Sequence, residues 1–367
     1  MKQKCHDNEN KQTIFRRLCK MAAALGAVSL SLRDLHTQTA TEADCRNWMR
    51  QSGLLATNVI CRKCGAPMEE REYERVADKV TWRCPLRQCR TITSIRHGSF
   101  FERSHLTLKS LIDLLYYWSI ELPNLEIQYQ LEIEDKTVTD WTNMIREVCS
   151  TELLANRVWL GGPGSIVAID ETLVAKRKPG NQQGRPVDPE WVFGGVELGT
   201  DKFFMHIVHN NRDAATLERV IQDNILPGTR IWSDQWAGYR NLGNLGYIHE
   251  TVNHSQHFVD PATGVHTNTI EARWSVCKAG FKRRFGVARH LLPSYLDEHM
   301  WRVRHPRPFT FEAIVAAIAQ QYPVWIAVHG QLPSPVPLQH QQQPALFRAT
   351  TSSRGKPHAF GSYEISH

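Results

Sequence analysis

Three acidic residues stand at positions where carboxylates can do chemistry. Asp170 follows the apolar run SIVAI, Asp234 follows TRIWS, and Glu271 lies in NTIEARW near the start of a predicted helix. A strand end in an α/β sheet opens onto the crevice where ligands bind, so both aspartates are candidates for a site. Each aspartate alone also suits a turn or a helix cap. Glu271 likewise has an alternative, because Asn268 and Glu271 have the spacing of a capping box.

The three acids together have the ligand types that a pair of magnesium ions requires. Phosphodiester transfer with two Mg²⁺ ions about 3.5–4 Å apart needs hard oxygen ligands on opposite sides of the phosphate. In that arrangement one aspartate bridges both ions, while the second aspartate and the glutamate each hold one. Carboxylates favour Mg²⁺ or Mn²⁺ here, and nothing in the sequence indicates a catalytic zinc.

A second set of residues suits a different metal. Cys61 and Cys64 form a C-x2-C pair, and 19 residues later Cys84 and Cys89 form a C-x4-C pair. Two close cysteine pairs around a short strand-forming stretch predict a zinc ribbon, and four thiolates leave no open coordination position, so this Zn²⁺ is expected to be structural. The alternative is four unrelated buried thiols. The other five cysteines are expected to be inert: Cys5, Cys19, Cys45, Cys149 and Cys277.

The charge of the chain is concentrated in one segment. The formal net charge is +7, and the segment from Glu271 to Arg307 holds nine basic and three acidic residues, a difference of +6. A solvated helix face explains many charge runs, but few acids balance this one, which favours contact with nucleic acid. The predicted DNA-binding residues lie just after Glu271: Lys278, Lys282, Arg283 and Arg284.

The predicted elements around the acids alternate between strands and helices. Strands at 165–170, 190–198, 202–208 and 229–234 and helices at 214–225 and 268–285 indicate an α/β layer. Before them, residues 106–121 have the pattern of a buried helix. A short helix, a turn at Glu134–Asp135 and a longer helix with an apolar stripe follow. This second pair fits either a helix-turn-helix or a plain helical pair. The stripe consists of Val138, Trp141, Ile145 and Val148.

Four stretches together resemble the Merlin superfamily of DDE transposases and its bacterial insertion-sequence relatives: AIDET (168–172), SDQWAGY (233–239), VNHSQHFVDPATGVHTNTIEARWSVCK (252–278) and YLDEHMWR (295–302). The cysteine segment running into GSFFERSHLTL resembles their N-terminal region, so the resemblance covers roughly 45–305. It implies an RNase H-like core and cut-and-paste DNA transposition. By this resemblance Asp170, Asp234 and Glu271 match the catalytic acids, and none is substituted. His254, His266 and Asn268 are possible supporting residues of the site.

The expected organisation has six parts: an N-terminal helical segment (1–56), a zinc ribbon (57–98), a helical or helix-turn-helix region (99–157), an RNase H-like catalytic domain (160–305), a C-terminal helix (306–329) and a disordered tail (330–367). The chain lacks an apolar run long enough for a transmembrane helix.

The expected partners are double-stranded DNA, as terminal inverted repeats and target, and further copies of the chain, because synapsis of two ends implies a dimer or larger assembly. A host-recruited DNA-binding protein and a zinc-ribbon nuclease without strand transfer are the alternatives. Nuclear residence is expected for a eukaryotic source and cytoplasmic residence for a bacterial one.

Overall fold

The computed structural model describes residues 29–175, 190–209, 211–253, 258–284 and 286–324. The first 28 residues, His254 and the predicted tail lie outside these ranges. Within them, no helix is both long and apolar enough to cross a membrane.

Two short helices begin the described chain. They are α1 (Leu32–Gln38) and α2 (Glu42–Gln51). Each starts with a capping box, because the hydroxyls of Ser31 and Thr41 accept from the backbone N–H three residues on, and the aspartates there accept from the cap N–H in return. Leu35, Cys45 and Met49 bury the inner faces of the two helices.

The cysteine segment forms a small antiparallel sheet in the order β1–β2–β3. Its strands are β1 (Glu69–Glu72), β2 (Val80–Arg83) and β3 (Ile92–Ser94). Three helices follow: α3 (Leu108–Ser119), α4 (Asn124–Leu131) and α5 (Asp135–Ala155). The predicted stripe of α5 is buried, and it joins the small sheet and the N-terminal helices in one apolar core.

The second part of the chain contains a five-stranded mixed sheet in the order β10–β9–β5–β6–β7. Strands β5 (Ile166–Ala175), β6 (Glu190–Glu197) and β7 (Phe203–His209) form an antiparallel meander. On the other side of β5, β9 (Arg230–Ser233) and β10 (Ile248–Thr251) continue the sheet in parallel with β5. Two-residue strands β4 (Leu160–Gly161) and β8 (Ile225–Leu226) pair separately. The predicted α/β class is confirmed. The sequence did not indicate β10.

Helices cover both faces of this sheet. Helix α6 (Ala214–Asn224) packs on one face, through Leu217 and Ile221, against Val167 and Ile169 of β5. Helices α7 (Asn268–Arg283) and α8 (Leu292–Arg304) pack on the other face, where Ala168 and Val174 point. Alternate residues of β5 therefore face different helices, as the pleat of a strand requires.

The last described helix, α9 (Thr310–Gln321), belongs to the N-terminal core and not to the sheet. Ile314 and Ile318 are buried there, and the Phe311 ring packs against Trp48 and Tyr116 with centroids 5.8 and 5.3 Å apart. The chain thus forms the helical part first and the sheet second, and its last described helix packs on the helical part.

Buried ion pairs and hydrogen bonds join the two parts along α8. Glu298 is 2% exposed and accepts from Arg284 at 3.1 Å and Arg302 at 2.8 Å. Arg302 also donates to the backbone carbonyls of Ser119 and Trp118, at the end of α3. Glu298 therefore has a structural role in this network.

Candidate active site

Asp170 lies inside a strand, and the expectation that the strand ends there is wrong. Strand β5 continues to Ala175, and Asp170 is registered with Gly194 of β6. The pairing with β6 sustains the extended backbone through the polar residues Asp170, Glu171 and Thr172. Because side chains alternate along a strand, Asp170 faces α7 with Ala168, whereas Glu171 faces the α6 side.

Asp234 directly follows β9, as the sequence predicted. Strands β5 and β9 are parallel and Ala168 is registered with Trp232, so Asp170 and Asp234 stand two residues beyond the same registered pair. The backbone N–H of Trp236 donates to Asp234 Oδ1 at 3.0 Å, which turns the chain just after the carboxylate. Two residues 64 positions apart in the sequence are thus brought side by side by the parallel register.

Glu271 comes from the first turn of α7, and its predicted capping box with Asn268 is wrong. The N-cap residue is Thr267, Asn268 is the first residue of the helix, and the cap side chain makes no bond to the backbone N–H groups of the described helix. Instead the Thr267 hydroxyl donates to Glu271 Oε1 at 2.8 Å. Thr267 is 1% exposed, so a buried threonine orients a carboxylate that is itself exposed.

Asp170 and Glu271 share one cavity of about 490 Å³, between β5 and α7. Asp234 is beside Asp170 but is not among the residues that line it. The other polar or charged residues of its wall are Thr172, Ser275, Lys278 and Lys282.

Trp274 connects the two elements of the cavity. Its indole N–H donates to Asp170 Oδ2 at 3.0 Å. The ring has room because Gly194 faces it: a Cβ added at Gly194 would lie 2.6 Å from Trp274 Cη2 and 2.7 Å from the carbonyl oxygen of Phe204. Trp274, Gly194 and Thr267 were not singled out in the sequence, although Trp274 stands one helical turn after Glu271.

The electrostatics of the site disfavour the charged forms of Asp170 and Glu171. Burial raises the pKa of Asp170 from 3.8 to about 7, and the charges of Glu171 and Asp234 push it in the same direction. Burial also raises the pKa of Glu171, with a further contribution from Asp234, while the Arg212 charge opposes the rise. Burial and neighbouring negative charge both raise the pKa of a carboxyl group, and a bound cation would lower it again.

The raised pKa of Asp170 and the all-oxygen donor set fit divalent metal ions at Asp170, Asp234 and Glu271.

The possible supporting residues differ in their placement. The His266 ring packs edge-on against Trp232, with centroids 5.2 Å apart, and its buried Nδ1 has no hydrogen-bond partner among the described residues. Asn268 is exposed on the first turn of α7. His254 falls outside the described ranges. The structure therefore adds nothing for His254 and gives His266 a packing contact.

The four predicted DNA-binding cations separate onto two sides of α7. Lys278 and Lys282 line the cavity with Asp170 and Glu271. Arg283 lies 3.6 Å from Glu121, and Arg284 pairs with the buried Glu298. The Arg284 guanidinium therefore has an acidic partner within the fold, and its expected role in DNA contact stays a prediction.

The same pairing reduces the basic excess that the sequence indicated. At least six of the nine basic residues between Glu271 and Arg307 pair with acids among the described residues. Their partners are four acids: Asp201, Glu121 and Glu190, which lie elsewhere in the fold, and Glu298 on α8. The net charge of the segment therefore overstates the charge it presents, and Lys278 and Lys282 are the cations of the segment that line the cavity.

Helices α4 and α5 have the connectivity of a helix-turn-helix, with three residues between them. Their outer surface is acidic, however. The exposed ionisable residues between Pro123 and Asp140 are five acids and one lysine: Glu126, Glu132, Glu134, Asp135, Asp140 and Lys136. DNA binding requires cations opposite the phosphates. The surface charge therefore favours the plain helical pair over a DNA-reading motif.

The four cysteines converge beside the small sheet. All four sulfur atoms lie within 4.8 Å of one another, with Cys61 Sγ 3.5 Å from Cys89 Sγ and Cys64 Sγ 3.4 Å from Cys84 Sγ. Cysteines from two separate pairs in the sequence thus meet at one point. This convergence argues against the alternative of four unrelated buried thiols. The cluster is compatible with a tetrahedral zinc site.

Comparison with known proteins finds a match to a transposase domain in the segment that contains the cavity. Residues 159–304, which include the three acids, match the model of the ISXO2-like transposase domain. This segment is less than half of the chain. An uncharacterized transposase-like protein of Haemophilus influenzae is 27% identical over 96 residues, which are 26% of this chain and 76% of that protein. The family match supports a transposase, and the narrower Merlin assignment stays a prediction.

Solved structures give weaker likenesses. The mariner Mos1 paired end complex with Mg is 15% identical and has a TM-score of 0.23, covering 56% of this chain and 77% of that one. A simian T-cell lymphotropic virus intasome in complex with the PP2A regulatory subunit B56 gamma is 13% identical with a TM-score of 0.27, covering 69% and 91%. These scores are too low to support any comparison of the folds.

Proposed function

We propose that the protein is a DDE-type DNA transposase. It binds the terminal inverted repeats of its element, cleaves DNA at the element ends and joins the 3′-OH to target DNA. The observation that carries the proposal is the meeting of Asp170, Asp234 and Glu271 from a strand, a strand end and a helix, inside the segment that matches a transposase domain. The order of the mixed sheet supports an RNase H-like core.

In this proposal Asp170, Asp234 and Glu271 would hold two Mg²⁺ or Mn²⁺ ions. Asp170 lies beside Asp234 and shares its cavity with Glu271, so the three carboxylates could act on the same ions. Trp274 fixes the Asp170 carboxylate, and Thr267 fixes that of Glu271. When bound, the ions would activate the attacking water or 3′-OH and stabilise the leaving oxygen.

Lys278 and Lys282 have a separate task. They stand one and about two turns after Trp274 on α7, and both line the cavity. A phosphate drawn to the carboxylate-bound ions would lie within reach of their ammonium groups, which would neutralise and position the strand. Two ends must be held together for joining, so the proposal includes a homodimer or larger assembly on DNA.

The test is cleavage of a plasmid that carries the inverted repeats flanking this gene, with Mg²⁺ or Mn²⁺. Wild type is expected to cut at the repeat ends and join them to target DNA. Asp234→Asn is expected to bind the repeats and cut nothing. The matched control is Asp201→Asn, at an aspartate that is 87% exposed in the β6–β7 turn and is expected to keep full activity.

Other outcomes separate the alternatives. Cleavage without joined product would indicate a nuclease. Binding without cleavage by wild type and Asp234→Asn alike would indicate a DNA-binding protein derived from a transposase. Equal cleavage by both would overturn the assignment of the acids.

A further inference from the structure

Immediately after Asp234 the chain exposes an aromatic ring that the proposed reaction does not use. Trp236 is 43% exposed, and its own backbone N–H is bonded to Asp234 Oδ1. An isolated exposed aromatic residue is common and needs no explanation. Trp236, however, lies two residues after the proposed metal ligand Asp234 and is hydrogen-bonded to it, so its ring would lie close to the reacting phosphate.

The surroundings of Trp236 form a platform. Arg212 lies over the Trp191 ring at 3.7 Å and over the Trp236 ring at 5.4 Å from the centroids, so a guanidinium stands between two indoles. Gly238 leaves room for the second ring, because a Cβ there would lie 2.9 Å from Trp236 Cδ1 and Nε1. The side chains of Trp191, Arg212 and Trp236 are called the indole platform below.

The indole platform lies beside the carboxylates on the α6 side of the sheet. Trp191 is registered with Leu173 of β5, three residues beyond Asp170, and packs with the core that α6 covers. Arg212 is close enough to Glu171 to influence its ionisation. The platform therefore flanks the strand end at Asp234, opposite to the cavity where Lys278 and Lys282 stand.

An exposed indole with an adjacent guanidinium has the chemistry that binds a single-stranded nucleic acid. Every base has a π-face that stacks on an aromatic ring, and arginine adds a cation for the phosphate. A base inside a duplex is already stacked and is unavailable, so the ligand must be unpaired or turned out of the helix. We propose that the indole platform binds an unpaired nucleobase of the DNA next to the scissile phosphate.

This inference rests on the proposed function and adds a ligand to it. It makes the cleavage site a place where the DNA is held partly open. A base stacked on Trp236 keeps its own phosphate near Asp234, so the platform would set which phosphodiester reaches the carboxylates.

The test compares two DNAs that differ only in pairing. One is a fluorescein-labelled blunt duplex. The other has the same duplex with a short single-stranded thymine extension, whose first unpaired base is replaced by fluorescent 2-aminopurine in a parallel experiment. Binding is measured by anisotropy without Mg²⁺, and stacking by quenching of 2-aminopurine. The variants of the full chain are Trp236→Ala and Trp236→Tyr, which keeps an aromatic ring.

Trp159 provides the matched control. It is also 43% exposed and also lies under an arginine, with Arg157 at 4.9 Å from its centroid. Trp159 comes just before β4, at the end of the sheet where β5 and β9 begin. The hydrogen bond from the Gly162 N–H to the Thr229 hydroxyl, just before β9, fixes this location. Trp159→Ala removes an equally exposed indole far from Asp234.

Wild type is expected to bind the extended DNA more tightly than the blunt duplex and to quench 2-aminopurine. Trp236→Ala should bind the extended DNA roughly 5- to 100-fold more weakly, lose the quenching and keep its affinity for the blunt duplex. Trp236→Tyr should keep most of the affinity for the extended DNA and most of the quenching. Trp159→Ala should match wild type in both measurements.

Unchanged quenching and affinity in Trp236→Ala, or equal losses on both DNAs, would overturn the indole platform and leave the transposase proposal standing. If wild type bound neither DNA, the proposed function would itself be overturned, and the platform with it.

Discussion

The indole N–H of Trp274 donates a hydrogen bond of 3.0 Å to Asp170 Oδ2, across 104 positions of sequence. The donor is neutral, so it orients the carboxylate without competing with a cation for its charge. Helix α7 thus supplies both Glu271 and the group that holds Asp170, and a small rotation of this helix would move two of the three acids together.

Trp274→Phe is expected to weaken metal binding with little change in packing. Phenylalanine keeps an aromatic ring beside Gly194 but cannot donate to Asp170. A hydrogen bond to a charged group is worth about 1.5–3 kcal/mol, so Mn²⁺ affinity should fall by roughly 10-fold or more. Calorimetric titration with Mn²⁺ measures it. Wild-type affinity in a variant with an unchanged melting temperature would mean that Trp274 does not position Asp170.

Gly194→Ala is expected to destabilise the fold around Trp274. The new Cβ would lie 2.6 Å from Trp274 Cη2 and 2.7 Å from the Phe204 carbonyl oxygen, and the second contact is with backbone that cannot rotate away. Overpacking of this kind costs about 1–3 kcal/mol. Urea denaturation measures the free energy of unfolding.

Gly243→Ala is the control for this change. Gly243 lies in a short 3-10 helix, and a Cβ there would meet no other described atom within 4 Å. It should leave stability within about 0.5 kcal/mol of wild type. Equal stability of both variants would show that the site relaxes around Gly194.

Asp170→Asn is expected to stabilise the metal-free protein at pH 8. The pKa of Asp170 is raised to about 7 in the fold from an ordinary 3.8, so the folded state binds this proton more tightly than the unfolded state. The resulting loss of stability is absent below about pH 4 and complete above about pH 7. Melting temperatures without divalent metal should therefore rise in the variant at pH 8 and differ little at pH 4.

Added Mn²⁺ should raise the melting temperature of wild type above that of Asp170→Asn, because the ion has one ligand fewer in the variant. The variant Asp201→Asn, at an exposed position, should follow wild type throughout. A melting temperature for Asp170→Asn that is below that of wild type at pH 8 without metal would contradict the prediction.

Purified protein is expected to contain one Zn²⁺ per chain, and Cys84→Ser should remove it. Cys84 is 5% exposed and belongs to the N-terminal core, so metal loss would loosen that core as well as the ribbon. Metal content by mass spectrometry and the melting temperature measure the two effects. Cys45→Ala changes a buried cysteine outside the cluster and should keep the zinc. Metal-free wild type of undiminished stability would exclude a structural zinc.

The sequence predicted the local features of the site better than the long-range ones. Asp234 was placed at a strand end because an apolar run stops there. The end of β5 was misplaced because Asp170, Glu171 and Thr172 interrupt the apolar pattern, while the backbone follows its pairing with β6. The capping box failed for a related reason: Thr267 takes the N-cap position, and its hydroxyl prefers the carboxylate of Glu271 to the backbone.

The charge of the α7–α8 segment could not be predicted locally either. Glu121 and Glu190, which pair with its arginines, stand more than 80 positions earlier in the chain. Likewise, no local pattern reveals that Gly194 faces Trp274, since the contact exists only once β6 and α7 are packed together. The sequence indicated the candidate carboxylates of the site, but it did not indicate the residues that hold them in place.

The return of α9 to the N-terminal core has a consequence for synthesis of the chain. Trp48 and Tyr116 pack against Phe311, so the ribosome completes their environment only after it has made the whole sheet. Until then the nascent helical part presents an open apolar face, which chaperones or a second nascent chain can bind. A premature stop codon after the last strand would therefore damage the beginning of the protein, although every residue of that beginning had been translated.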